Sequence, residues 1–441
     1  MTDLFQLSAS EAARRIRTGE LSAYALMRAC LERIEAVDPQ IQAWAFLDPE
    51  HALAMAAEAD ARQRDGVACG PLHGVPIAIK DIIDTEDMPT QRGSPIFTSR
   101  QPLEDAACVA ALRAAGGVII GKSVTTELAS LTPGKTRNPR NLEHTPGGSS
   151  SGSAAAVASG MVPLALGTQT AGSVIRPASF CGIFGFKPTL GFISRTGVLM
   201  QSHTLDTIGV YGRSLQDIAL IAECLSGWDG RDEVSYRRAQ QSLLAPLEQD
   251  FAQPPRLAFW RTPAWPLADP AMHDAFAELV EELGDHCQTI ELPADCDALP
   301  TYQGIIQSAE NAAWYGDIYD RHPDQLSPAM RERLAKGMQE SARSYLEALT
   351  ARARLYRHMT EVFERFDAVI CPAAPGPAPK GIETTGNPIF NALWTYLGVP
   401  AVTLPLMEID GLPVGVQLVG PRRDEAHLLR TANWLVKHLS G

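Results

Sequence analysis

The chain has 441 residues, 45% of them hydrophobic and 20% charged, with a formal net charge of −13 at pH 7. That length admits one large domain or two and supports a sizeable core, while the acidic balance repels phosphate backbones and excludes direct nucleic-acid binding. In chain order, the first 65 residues read as helices. Ser8 and Glu11 form a capping-box pattern before residues 12–16, Gly19 is placed to stop that helix, Ser22 caps a second through Ile34, and a third fits residues 49–64. From Pro71 to about Gly209, short apolar runs alternate with small-residue helices: 75–79, 106–115, 117–120 and 151–159. This is α/β texture. Between Trp228 and Phe366 the character changes, with a strand at 256–260, an amphipathic helix at 271–284, a run at 289–292 and a long helical stretch at 341–366. The section 302–319 carries Trp314, Tyr315 and Tyr319, which read either as core residues or as a pocket wall. Strand-like runs return at 368–372, 401–405 and 412–419, followed by a closing helix.

The N-terminus lacks a basic region followed by an apolar one, and the weakly polar stretch 154–172 is broken by Ser159, Gly160 and Pro163. The expectation is a cytoplasmic protein that does not engage a membrane. Eight cysteines are scattered without a C-x-x-C pair, and no two histidines stand in H-x-x-x-H spacing. Reduced thiols, no metal and no cofactor are expected.

Three patterns carry candidate chemistry. Residues 116–123 satisfy G-x-x-x-x-G-K-[ST], but a phosphate loop needs its strand before the first glycine, and here residues 118–120 are themselves the strand. Residues 148–152 satisfy G-x-S-x-G, which would make Ser150 a nucleophile; that elbow must follow a strand, and residues 140–146 do not read as one. The third pattern joins Ser149, Ser173 and Lys80. A serine nucleophile needs a base, and a lysine carried inward by the apolar run 74–79 can be neutral, because burial disfavours the ammonium form. A second serine can relay the proton. Gly147 and Gly148 permit unusual backbone geometry, and Thr170, Ala171, Gly172 and Ser173 present successive N–H groups suited to an oxyanion hole.

At these residues the chain resembles the amidase signature family. The likeness rests on G-x-P-x-x-x-K-D at 74–81, Pro-Gly-Gly-Ser-Ser-Ser-Gly-Ser at 146–153, Gly-Thr-x-Thr-x-Gly-Ser at 167–173, residues 180–189, and the segments 397–401 and 411–418. It runs from about residue 5 to 437 and is weakest over 228–365. The resemblance implies an α/β fold, a central mixed sheet covered on both sides by helices. It also implies one amidase domain over 1–441: an N-terminal helical segment 1–65, a signature core 66–227, a variable substrate-pocket segment 228–370 and a C-terminal return to the sheet at 371–441. The site is expected at the sheet edge under the variable segment.

The implied site is a Ser-cisSer-Lys triad: Ser173 the nucleophile, Ser149 the relay entered through a cis peptide from Gly148, and Lys80 the general base. Two departures stand out. Ala171 occupies a position that is commonly glycine, and the arginine usually two places after the nucleophile is three after it, Arg176. The Gly-Thr-Gln-Thr pattern with Ser-Val-Ile-Arg-Pro is similar to malonamidase-type members, in which that arginine is taken to bind a substrate carboxylate; pairing with a structural carboxylate is the alternative. The expected function is an amidohydrolase cleaving a non-peptide C–N bond of a small amide, with esters or carbamates (urethanes) as further substrates. An amidotransferase-type A subunit working with a partner is the alternative. The expected partners are a small-molecule amide, ester or carbamate substrate and, in a homodimer, a second copy of the chain.

Overall fold

The computed structural model describes residues 3–67, 69–239 and 241–439. Eleven strands among them form a single mixed sheet: β1 (Trp44–Leu47), β2 (Pro76–Lys80), β3 (Val118–Ser123), β4 (Leu164–Gln169), β5 (Phe184–Lys187), β6 (Thr207–Gly212), β7 (Leu257–Trp260), β8 (Cys287–Ile290), β9 (Ala368–Pro372), β10 (Ala401–Ile409) and β11 (Leu412–Val419). Their spatial order is β1-β3-β2-β4-β6-β5-β10-β11-β9-β7-β8. The strands β3, β2 and β4 run parallel, as do β9, β7 and β8, and the strands between them pair antiparallel.

Side chains alternate across this sheet with period two, and the alternation builds the core. Ile77 and Ile79 of β2, Leu164 and Leu166 of β4, Leu257 and Phe259 of β7, and Val414, Val416 and Leu418 of β11 all enter one apolar cluster on one face. Their neighbours in sequence face the other way. Ala78 and Ala165 join the N-terminal helices, and Ala258, Trp260, Val369 and Cys371 join the helices of the later chain. Helices therefore cover both faces, as expected.

Local chemistry explains most element boundaries. Ser8 Oγ accepts from Glu11 N and Ser22 Oγ from Ala25 N, at 3.2 and 3.0 Å, so both expected caps are made. Asp410 and Gly411, with φ of 53° and 75°, make the two-residue turn that joins β10 to β11. One segment departs from the helical reading of the first 65 residues: Trp44–Leu47 is a strand, antiparallel to β3. The second helix also continues past Ile34 to Ile41.

Candidate active site

Lys80 is the last residue of β2, and the alternation that sends Ile77 and Ile79 to one face directs it to the other. There the helix Ser151–Ala158 packs closely because its first turn is small: a Cβ on Gly152 would lie 2.3 Å from Ala43 O and 2.4 Å from Val124 N. The loop leading into that helix brings Ser149 to the lysine. Lys80 Nζ hydrogen-bonds Ser149 Oγ at 2.7 Å and Thr168 Oγ1 of β4 at 2.8 Å. Lys80 is fully buried. Burial pushes its ammonium pKa well below the usual lysine value, opposed by the nearby charge of Asp206. The Gly148–Ser149 peptide is cis, as the family pattern implied. The site lies at the C-terminal ends of adjacent strands β2 and β4, inside the sheet rather than along an outer strand.

The chain leaving β4 forms the second wall. The N–H groups of Thr170, Ala171, Gly172 and Ser173 make no hydrogen bond to another described residue, whereas the acceptors and side chains around them are fixed. Gln169 Oε1 accepts from Val174 N and Ile175 N, at 2.8 and 3.0 Å, and its Nε2 donates to Thr395 Oγ1, which in turn donates to Ala171 O. Thr170 Oγ1 donates to Asp206 Oδ1 at 2.6 Å, and Gln303 Nε2 donates to Thr170 O at 3.1 Å. Asp206 also accepts from Gln201 N and Ser202 N. Its carboxyl pKa is raised by burial, against the pull of these donors. Gly172 admits no side chain, since a Cβ would come within 2.4 Å of Asn391 Oδ1. Ser173 O accepts from Tyr211 Oη at 3.0 Å. Among the described residues no hydrogen bond joins Ser149 to Ser173.

Arg176 is buried in the short helix Ile175–Cys181. Its Nη2 donates to Gly148 O at 2.7 Å and to Thr385 Oγ1 at 3.1 Å, so it ties the cis peptide to the chain after Ser173. Its Nε and Nη1 are buried without partners, and burial lowers its pKa to about 10. Among the described residues no structural carboxylate is one of its partners.

The competing patterns resolve on geometry. Ser150 Oγ donates to Thr168 O and accepts from Thr168 N, so the G-x-S-x-G serine fastens the loop to β4. Lys122 lies buried within β3 and donates to Ile83 O and Thr90 Oγ1, which leaves no phosphate cradle at residues 116–123. Folding does gather Asp295, Cys296 and His358, whose ligand atoms lie within 4.8 Å of one another. Arg354 and His358 already pair with that carboxylate. Among the described residues no helix is long and apolar enough to cross a membrane.

Thr168, Asp206 and Gln303 are site neighbours that the sequence reading did not single out. Thr168 lies inside the quoted 167–173 motif, beside Gln169, and could have been found there. Asp206 and Gln303 carried no local signal.

A helix-covered mixed sheet with a lysine–serine pair buried at its strand ends, beside a loop of free N–H groups, defines the amidase signature class of α/β protein. The chain belongs to this family, whose Amidase profile matches residues 25–429. It is 37% identical to the A subunit of glutamyl-tRNA(Gln) amidotransferase from Chloroflexus aggregans, over 98% of this chain and 96% of that one. It is 35% identical to the protein of the same name from Symbiobacterium thermophilum, over 97% and 95%. Among solved structures, an amidase superposes with a TM-score of 0.86 at 29% identity, covering 98% of this chain and 99% of that one. A protein from a vestigial complex bearing on the origins of an s-triazine catabolic enzyme superposes with a TM-score of 0.91 at 30% identity, covering 98% of both.

These relatives support an enzyme acting on C–N bonds and correct the expected function. The small-amide amidohydrolase expected from the motifs is overturned by near full-length matches to amidotransferase A subunits. The physical reason is that the family's motifs are common to amidases and to amidotransferase A subunits and so do not distinguish the two.

Proposed function

We propose that this chain is an amidotransferase-type A subunit: it opens the C–N bond of a primary amide at a serine and works with a partner that uses the nitrogen released. The support is the 37% identity with the Chloroflexus aggregans protein over 98% of the chain. By analogy with that relative's name, the acceptor is a glutamyl-tRNA; with a net charge of −13 on this chain, the partner rather than this chain would hold the RNA.

In this reading Ser173 Oγ attacks the amide carbonyl while its proton passes to Ser149 Oγ, which gives its own to neutral Lys80 Nζ. The oxyanion is met by the N–H groups of residues 170–173. Collapse of the tetrahedral intermediate breaks the C–N bond. The proton held on Lys80 returns through Ser149 to the leaving nitrogen, and ammonia departs. Water then takes the same route in reverse to release the acid and restore Ser173. The Lys80–Ser149 bond of 2.7 Å supplies the basic half of this relay. The Ser149–Ser173 link would close with substrate in place, since catalytic hydrogen bonds tighten in the reacting complex. Arg176, through Gly148 O, would hold the substrate side of the loop.

The test is ammonia release from glutamine and from simple primary amides, with and without the partner subunits of such an amidotransferase, and amidation of glutamyl-tRNA(Gln) in the same mixture. Partner-dependent release coupled to amidation is expected. Rapid turnover of simple amides alone, with no effect of the partner, would overturn the proposal.

A further inference from the structure

Apart from the lysine–serine site, a cavity of about 320 Å3 lies where the helix Ala342–Phe363, the loop after β11 and the segment after β5 meet. Three guanidinium groups line it, those of Arg352, Arg422 and Arg423, together with Tyr236 and Thr189. None of the three forms an ion pair with a carboxylate among the described residues. Arg352 Nη1 makes one long hydrogen bond, 3.4 Å to Thr204 O, and its Nε is buried without a partner. Arg422 donates through Nε and Nη2 to Leu397 O and stacks 3.7 Å over the Tyr356 ring. Arg423 stacks 4.2 Å over the Tyr236 ring and makes no side-chain hydrogen bond among the described residues.

The neighbouring carboxylates form no ion pair with these arginines among the described residues, although the charge of Glu310 works against the lowering of the Arg352 pKa. Glu425 accepts from Thr189 N at 3.0 Å, and Glu310 is bonded to Ser202, Thr204 and Tyr345. Burial, followed by the proximity of Arg422, lowers the Arg352 pKa to about 10. Arg352 and Arg422 are partly buried, Arg423 is exposed, and Arg422 repels both of its neighbours; a bound anion offsets that repulsion and the cost of burying the first two. Three planar forks offer more donors than the two oxygens of one carboxylate accept, whereas a phosphate presents at least three.

We propose that this cavity binds a small phosphate-bearing anion, either inorganic phosphate or a short phosphate monoester. The acidic chain and the limited cavity volume favour a small molecule over an RNA backbone. The inference is independent of the reaction at Lys80.

Calorimetric titration with inorganic phosphate and, separately, with glycerol 3-phosphate tests it at constant ionic strength. The two arms distinguish a free from an esterified ligand. Saturable binding with Kd below about 1 mM is expected for at least one, weakened about tenfold or more in Arg352→Gln and in Arg423→Gln. Arg28→Gln, on an exposed helix surface, is expected to bind like the unchanged chain. Should Arg352→Gln fail to fold, Arg423→Gln carries the test, because its side chain anchors nothing by hydrogen bonds. No saturable binding below about 10 mM, equal binding by Arg423→Gln, tighter binding of citrate than of either phosphate, or binding of tRNA alone would each overturn the proposal.

Discussion

Replacing Thr168 by valine tests how the buried lysine is held. Thr168 Oγ1 and Ser149 Oγ are the two hydrogen-bond partners of Lys80 Nζ among the described residues, at 2.8 and 2.7 Å, and the lysine is sealed from solvent. Valine keeps the shape of threonine and removes the acceptor. A neutral amine has two N–H groups to place and an ammonium has three, so losing an acceptor penalises the ammonium more; an unmet buried donor costs about 1–3 kcal/mol. The Lys80 pKa, already lowered by burial, falls further. In the proposed mechanism the base acts when neutral, so activity is expected to rise with pH through the Lys80 pKa, and a lower pKa to move the acid limb to lower pH. The amine also loses one of the two bonds that aim it at Ser149. We expect kcat/KM on the plateau to drop by about 10- to 100-fold, roughly 1.4–2.7 kcal/mol in the barrier. The assay is ammonia release from about pH 5 to about pH 9.5 for both proteins, with thermal melts confirming that each is folded. An unchanged kcat/KM with an unmoved limb, or a limb displaced to higher pH, would refute the reasoning.

Two other substitutions separate structural from reacting groups. Gly172→Ala places a methyl 2.4 Å from Asn391 Oδ1 and 2.9 Å from Pro388 Cβ, which displaces the N–H row; turnover is expected to fall by about 100-fold or more, read as kcat. Ser150→Ala removes the bridge to the Thr168 backbone, at 3.3 and 3.2 Å; it is expected to lower stability by about 1–3 kcal/mol in denaturant melts while turnover stays within about tenfold. Abolished turnover in a folded Ser150→Ala protein would return that serine to consideration as nucleophile.

Much of this arrangement is local and so visible in the sequence. The caps at Ser8 and Ser22 are single-turn chemistry, and the apolar run before Lys80 is a buried strand whose end delivers the lysine. The strands Ala368–Pro372 and Leu412–Val419 match their runs. Trp44–Leu47 escaped notice because four residues between two helices carry too little alternation, and its strand character comes from pairing with β3. The site's supporting partners come from far along the chain: Thr170 is held by Asp206, 36 positions on, and by Gln303, 133 positions on. Neither has a motif, because each acts through the tertiary fold. Of the aromatics of 302–319, Tyr315 is a core residue that donates to Leu128 O and Tyr319 packs against the same core, whereas Trp314 is half exposed on the same helix. Substrate identity was the least legible. In the proposed function, glycine, serine and lysine at this spacing serve the opening of an amide, and the fate of its nitrogen would be decided with partners the motifs do not encode.

Peptide mass spectrometry of the acid-quenched enzyme, after turnover of glutamine in the presence of the partner subunits, tests the central claim most directly. The account predicts an acyl adduct on the peptide containing Ser173, lost in Ser173→Ala and lost to hydroxylamine. An adduct on the peptide carrying Ser149 and Ser150, or partner-dependent turnover that persists in Ser173→Ala, would contradict it.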